Sequence, residues 1–240
     1  WAERIDSRLR GVIEVLDAGG KRLAVNRGYA GRDPLVVFRA PSDGTYYVKL
    51  SDHTYAGGAA HFYRLDIGAG PRVEFAVPSV VERGKTTRVS LYGHNLRAAQ
   101  PGAGKNATSS NEFERVEVEI TAPLDPKKVP LTLRPAQMVL DAFPYYFPGC
   151  STPVLIGLTD VPVVRAGADH HRPEKAKAIE VPCEICGQLT AGGDRAWYSL
   201  HARRGDVLWI EALGARLEAP VDLEVAVLDA TGQRELTKLS

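Results

Sequence analysis

The chain has 240 residues, with 30 lysine and arginine residues against 29 aspartate and glutamate residues and a net charge of +1. This balance favours neither nucleic acid nor an anionic membrane as a partner. No apolar run approaches the roughly 20 residues that a membrane-spanning helix needs, so no membrane span is predicted. Sixteen prolines and 23 glycines against a single methionine indicate a turn-rich, all-β chain of one or two domains.

Short segments rich in Val, Ile, Tyr and Phe follow one another along the chain, each bounded by Gly, Pro, Asp or Ser, and they predict β-strands. The predicted strands are 12–16, 34–40, 44–50, 61–67, 72–77, 86–93, 113–120, 129–133, 136–143, 152–159, 196–202, 206–213 and 223–229. Their spacing of about eight to twelve residues is typical of β-sandwiches.

Two polar intervals interrupt this succession of strands. The first, 97–113, consists mainly of small and polar residues, including glycine, and predicts a long surface loop. The second, 165–182, is charged without apolar periodicity and predicts a linker. The predicted organisation is therefore a β module at 1–70, a second at 71–165, a linker at 166–180 and a third module at 181–240.

The start of the chain is repeated near its end. At a constant offset of 212, residues 4–22 and 216–234 share the identities Arg4/Arg216, Val15/Val227, Leu16/Leu228, Asp17/Asp229, Ala18/Ala230, Gly20/Gly232 and Arg22/Arg234. Ordinary composition gives only about one identity over such a stretch. We interpret the two stretches as copies of one structural unit.

Three stretches resemble known families. Residues 186–233, with the Asp194 to Tyr198 strand, the Gly205-Asp206 pair and the L-D-A-x-G turn, resemble the opening half of the bacterial pre-peptidase C-terminal (PPC) domain. Residues 16–68, with "APSDGTYYV" and "YRLDI", resemble its closing half. Residues 78–96, "PSVVERGKTTRVSLYGHNL", are similar to the first hairpin of Ig-like TIG modules.

The resemblance implies all-β modules, namely jelly-roll-like PPC sandwiches that flank an Ig-like sandwich, in a fragment cut inside both PPC-like domains. It also implies a secreted or cell-envelope location in a bacterium. The expected function is a non-catalytic spacer that binds a polysaccharide, an extended protein substrate or a surface, with adjacent domains of the same longer chain as partners. One alternative is the non-catalytic part of a secreted, peptidase-like hydrolase whose active site lies outside these residues. Another is a metal-stabilised structural module.

Calcium is the candidate cofactor that the resemblance implies, because related sandwiches bind calcium at loop carboxylates. The candidate ligands are Asp17, Asn26 and Asp33 in the first copy and Asp222 and Asp229 in the second. Arginines 27 and 32 stand where acidic or amide residues are common, which argues against an intact site. Alternatively, Asp17 and Asp229 are turn residues that accept backbone N–H bonds ahead of a glycine.

The cysteines leave three interpretations open. Cys183 and Cys186 form a C-x-x-C pair, and Cys150 with His170 or His171 could complete a zinc site if the linker folded back. A disulfide is the second interpretation. The third, which we prefer, makes Cys183 and Cys186 small apolar residues of a strand.

Aromatic residues supply the candidate ligand-binding positions, and no catalytic motif competes with them. The sequence contains no H-E-x-x-H, G-x-S-x-G or P-loop pattern. Tyr46, Tyr47 and Tyr55 lie on or beside predicted strands, where exposed aromatic rings bind sugars or extended peptides. Because neighbouring strand residues point to opposite faces, one of Tyr46 and Tyr47 is expected to be exposed.

Overall fold

A computed structural model describes residues 1–2, 5–28, 33–97, 113–125, 141–167, 169–214, 223–232 and 234–239. The fold is all-β, as the sequence predicted. The strands are β1 Gly11–Leu16, β2 Arg22–Asn26, β3 Tyr47–Asp52, β4 Arg72–Val77, β5 Val80–Glu82, β6 Thr86–His94, β7 Glu114–Thr121, β8 Ala142–Tyr145, β9 Val154–Thr159, β10 Val163–Arg165, β11 Lys177–Ala178, β12 Glu184–Cys186, β13 Tyr198–Ser199, β14 Val225–Leu228 and β15 Glu235–Leu239. A short 3₁₀ helix spans Pro173–Lys175. Among the described residues, no helix is long and apolar enough to cross a bilayer.

The chain forms two compact units, Trp1–Ala69 and Gly70–Ser240. In the first unit, β1 lies at the centre of an antiparallel sheet with β2 on one side and β3 on the other. Val15 is buried on the inner face of this sheet. A Cβ atom at Gly11 would lie 3.2 Å from Cγ of Pro34, so the missing side chain lets the segment after Asp33 pack closely on β1.

The second unit contains two three-stranded sheets that share one hydrophobic core. One sheet has the order β4-β6-β7 and the other the order β5-β9-β8, in which β5 and β9 are parallel. Both sheets contribute to the core, as in a β-sandwich. Its buried residues are Val73, Ala76, Val81, Val89, Leu91, Leu96, Val116, Ile120, Ala122, Phe143, Phe147, Val154, Ile156 and Leu158.

A β-bulge in the first of these sheets turns an aromatic residue away from the core. The register between β4 and β6 shifts between Val73 and Phe75, so that Phe75 lies opposite Tyr92 rather than facing inward. The two rings stack with their centroids 4.8 Å apart. Gly93 makes the bulge possible, because a Cβ atom there would lie 2.0 Å from the carbonyl oxygen of Arg72.

The other described strands of the second unit form two-stranded ladders. β10 pairs with β12 and β11 with β13, both in parallel, and β14 forms an antiparallel hairpin with β15. The β10–β12 ladder joins residues on either side of the predicted linker, and buried Cys186 on β12 accepts a 3.0 Å hydrogen bond from the Ser79 N–H. The four-segment domain organisation stays a prediction.

Several segments that the sequence predicts as strands do not form strands in the structure. Residues 34–40, 61–67 and 206–213 form no strand, and 196–202 contributes only Tyr198–Ser199. Their composition favours an extended backbone, but a strand also needs a neighbouring ladder, which these segments do not find among the described residues. The predicted strand at 129–133 and most of the one at 136–143 lie outside the described residues.

Candidate functional site on the first sheet

An ion-pair row crosses the outer face of the β2-β1-β3 sheet. Glu14 on β1 accepts hydrogen bonds from Arg22 on β2 at 3.1 Å and from Lys49 on β3 at 2.8 Å. Lys49 and, to a smaller extent, Arg22 lower the pKa of the Glu14 carboxyl by these bonds. The Glu14 side chain is only 14% exposed, whereas both cations are more than half exposed. The row therefore presents positive groups to solvent across three strands.

Tyr47 lies on the same face as this row. It is opposite Leu16 in the β1–β3 ladder, two residues from Lys49, and strand alternation puts both side chains on one side. Tyr47 as a whole residue is 55% exposed. The expectation that one of the adjacent tyrosines is exposed is confirmed.

The structure gives Tyr46 a different role. Its ring makes an edge contact with Phe38 at 5.0 Å, and its hydroxyl donates a 2.7 Å hydrogen bond to the carbonyl oxygen of Ser42. These contacts fix the turn that leads into β3. Tyr46 is thus half-buried and stabilises the fold, while Tyr47 faces solvent.

Tyr55 is the most exposed tyrosine of the candidate set, at 93%. It occupies the turn after β3 with a φ of 61°, a left-handed conformation that bulky residues adopt rarely. The Glu14 hydrogen bond is the main cause of the raised pKa of Lys49, and Tyr55 makes a smaller contribution, so Tyr55 lies near that lysine. Tyr47, Lys49 and Tyr55 therefore form one exposed group, which we name the tyrosine face.

A buried aspartate that sequence reasoning missed holds this turn. Asp52 Oδ1 accepts hydrogen bonds from the N–H groups of Thr54 and Ala56 at 2.8 and 3.0 Å and from the Thr54 hydroxyl at 2.7 Å. Oδ2 accepts the Arg10 N–H at 2.9 Å. The Thr54 hydroxyl and these backbone donors hold the pKa of Asp52 far below its usual value. The Asp-x-Thr pattern at 52–54 is the sequence signal for such a turn.

The proposed calcium ligands of the first copy bind backbone groups. Asp17 Oδ1 accepts the N–H groups of Gly19 and Lys21, both at 2.9 Å. Asn26 Oδ1 accepts the Gly28 N–H and Asp33 Oδ1 the Ala2 N–H. Asn26 lies opposite Ile13, four residues from Asp17, which places the two about 13 Å apart along the hairpin. One ion cannot be bound by both.

In the second copy, Asp229 has the turn role that the repeat predicts for it. Its Oδ1 accepts the Thr231 N–H at 3.0 Å, and its carbonyl oxygen accepts the Gly232 N–H at 2.9 Å. Asp222 lies outside the described residues. Among the residues that are described, no three His, Cys, Asp or Glu side chains come together as a metal site. Calcium binding stays a prediction.

The cysteine and histidine side chains make separate contacts. All three cysteines, each within the described residues, are free thiols, so the disulfide interpretation is wrong for this structure. Cys150 Sγ donates to the carbonyl oxygen of Pro71. Buried His170 contacts the Tyr198 hydroxyl at 3.3 Å, and His171 Nδ1 lies 3.0 Å from the carbonyl oxygen of Arg195. The structure does not assemble the zinc ligand set.

Comparisons with protein-family models, with curated proteins and with solved structures found no match to the chain. The function is therefore inferred from the chemistry of the tyrosine face. Its groups can stack on a planar or apolar surface and donate hydrogen bonds from hydroxyl and ammonium groups.

Proposed function

We propose that this chain is a PPC-like, non-catalytic accessory region of a secreted bacterial multi-module protein, and that its tyrosine face binds an extended polymer. The main support for the proposal is that Tyr55 is exposed on a left-handed turn. A bulky side chain in a left-handed turn costs free energy, and the buried carboxylate of Asp52 stabilises that turn. A fold that holds a fully exposed ring in this way fits a contact residue better than a packing residue.

The shape of the face favours a long ligand over a small one. The row from Arg22 to Lys49 follows the β2-β1-β3 sheet, with Tyr47 beside it and Tyr55 beyond the end of β3. An open sheet face suits a polymer that lies across several strands. The proposed ligands are a polysaccharide or an extended protein segment, and the proposed location outside the cell follows from the PPC resemblance.

Binding to insoluble polymers tests the proposal. Purified chain is incubated with cellulose, chitin, peptidoglycan or denatured collagen, and the bound fraction is measured as a function of protein concentration. Tyr55→Asn is the sharpest variant, because asparagine tolerates the left-handed backbone while the ring is removed. We expect Tyr55→Asn and Tyr47→Ala each to weaken binding about fivefold or more, the usual effect of losing an aromatic contact.

Tyr146→Ala is the matched control, because Tyr146 is an exposed tyrosine of the second unit. It should bind as the unsubstituted chain does. Equal binding by all four proteins, or saturable binding to none of the polymers, would contradict the proposed tyrosine face. Turnover of any polymer by the purified chain would favour the hydrolase alternative instead.

A further inference from the structure

The charges on the face of the first sheet that bears Tyr47 differ in their exposure. Over β1, β2 and β3, the charged side chains on that face are Glu14, Arg22 and Lys49, whereas Asp52 points to the other side and is buried. The Glu14 side chain is 14% exposed, against 54% for Arg22 and 59% for Lys49. The face therefore presents two positive groups to solvent and little of its one negative group.

The two cations are held side by side on a single carboxylate. Oε1 of Glu14 accepts from Arg22 and Oε2 accepts from Lys49. Each cation uses one N–H group in this way, so two N–H groups of the lysine and four of the arginine remain. Among the described residues, neither cation makes a further hydrogen bond or ion pair. Glu14 thus positions the cations and leaves most of their donors for a ligand.

The rest of the first unit has no surplus of negative charge to offer these cations. Its sequence contains ten lysine and arginine residues against eight aspartate and glutamate residues. Residues 3–4 and 29–32, which the structure does not describe, contribute two of these arginines and one of these glutamates. Asp17, Asp33 and Asp52 accept backbone N–H groups instead. The positive excess at Arg22 and Lys49 therefore matches a negatively charged ligand.

We propose that the polymer bound by the tyrosine face is an anionic polysaccharide of the polyuronate type. This inference rests on the proposed function and narrows its ligand. Sugar rings stack on the exposed rings of Tyr47 and Tyr55. Uronate carboxylates pair with Lys49 and with Arg22, whose fork of donors matches a carboxylate.

The position of these groups favours a polysaccharide over an acidic polypeptide. Extended peptides gain much of their affinity from backbone hydrogen bonds at an unpaired sheet edge. The strand at the middle of this face, β1, is paired with β2 on one side and with β3 on the other. The face therefore offers a ligand side-chain rings and cationic donors rather than backbone groups.

Affinity electrophoresis of the full chain in gels that contain polygalacturonate, its methyl ester or poly-L-glutamate tests the proposal. The ester keeps the sugar backbone and removes the charge. We expect polygalacturonate to bind about fivefold or more tightly than the ester, and to lose most of this advantage as the salt concentration rises from about 50 to about 300 mM. Lys49→Gln and Arg22→Gln should each weaken binding to polygalacturonate about two- to fivefold and leave binding to the ester unchanged.

Two further variants separate charge from other effects. Lys49→Arg keeps the positive charge and should bind polygalacturonate as the unsubstituted chain does. Lys85→Gln is the matched control, because Lys85 is also an exposed lysine that pairs with a glutamate, Glu82, but in the second unit. It should leave binding unchanged. Circular dichroism verifies that each variant is folded.

The outcomes distinguish this inference from the proposed function. Equal binding of polygalacturonate and its ester, or binding that neither Lys49→Gln nor Arg22→Gln reduces, would overturn the polyuronate. Binding of poly-L-glutamate as tight as that of polygalacturonate would identify an acidic polypeptide as the ligand and also overturn it. Saturable binding to none of the three polymers would do the same. If cellulose or chitin is then bound in a manner that Tyr55→Asn weakens, the proposed tyrosine face stands without the polyuronate.

Discussion

The carboxylate of Asp52 accepts a 2.9 Å hydrogen bond from the backbone N–H of Arg10, 42 residues earlier in the chain. This bond ties the start of β1 to the turn after β3, while the other carboxylate oxygen holds the N–H groups of Thr54 and Ala56. The same buried group therefore closes the first sheet and sets the backbone of Tyr55. Stability of the first unit and presentation of the tyrosine face depend on one residue.

Acidification should destabilise the first unit through Asp52. Its pKa is lowered in the folded state, so its contribution to stability is complete above the unfolded-state pKa of about 4 and is lost as the pH falls towards the folded-state value. Asp52→Asn should lower the thermal midpoint at pH 7. The difference in thermal midpoint between the unsubstituted chain and Asp52→Asn should then become smaller as the pH falls from about 5 to about 2. Thermal melts across that pH range measure it. A constant difference would contradict this assignment.

Gly93→Ala should destabilise the second unit. The added methyl group would lie 2.0 Å from the carbonyl oxygen of Arg72, a backbone atom that can move only if the β4 bulge is remodelled. The expected loss in free energy of unfolding is about 2 kcal/mol, in the range of overpacking. Gly192→Ala is the control, because its methyl group meets no atom within 4 Å. Urea denaturation should separate the two variants clearly, and similar midpoints would contradict the role of Gly93.

Strand predictions from the sequence were most accurate where a segment has a strong apolar pattern and also pairs with a neighbouring strand in the fold. The strands at 72–77 and 86–93 are confirmed almost to the residue, because β6 places Val89 and Leu91 in the core and pairs with β4 along the length of that strand. The segment 206–213 has an equally apolar composition but finds no ladder among the described residues. Intrinsic preference can be read from composition, whereas the presence of a neighbouring strand is a tertiary property.

The candidate site was predictable in part for the same reason. Alternation predicts that one of Tyr46 and Tyr47 is exposed, which is confirmed, but it cannot say which of the two packs on Phe38. Asp52 was not predicted because its hydrogen bond to the Arg10 N–H joins residues that are 42 positions apart in the sequence. The turn roles of Asp17 and Asp229 were predictable, since both depend on donors within five residues.

Ile156→Ala tests the shared core of the two sheets in the second unit. Ile156 lies on β9, is completely buried, and belongs to the core cluster that residues of both sheets form. Its truncation should cost about 2–5 kcal/mol of unfolding free energy. Leu236→Ala, at an exposed position on β15, should stay within about 0.5 kcal/mol of the unsubstituted chain. Comparable losses in both variants would contradict a core centred on β9.

The three thiols should react with iodoacetamide in a defined order. Cys186 is buried against Ser79, and burial raises the pKa of the Cys150 thiol, so that less of the reactive thiolate is present near neutral pH. Cys183, which is partly exposed, should therefore be alkylated first in the folded chain. Peptide mass spectrometry at several reaction times gives the order. In urea the three rates should converge, and a Cys186 that reacts first would contradict its position in the fold.

Two substitutions at Asp17 distinguish a turn residue from a calcium ligand. Asp17→Ala removes the acceptor for the Gly19 and Lys21 N–H groups and should cost about 1 kcal/mol of stability. Asp17→Asn keeps an oxygen acceptor in the same place, so it should melt close to the unsubstituted chain. We expect the differences in stability between the Asp17 variants and the unsubstituted chain to be the same with and without millimolar calcium, because Asn26 is too distant to share an ion with Asp17. A calcium-dependent rise in the melting temperature that Asp17→Asn abolishes would instead establish Asp17 as a ligand, since an amide is the weaker ligand for a hard cation.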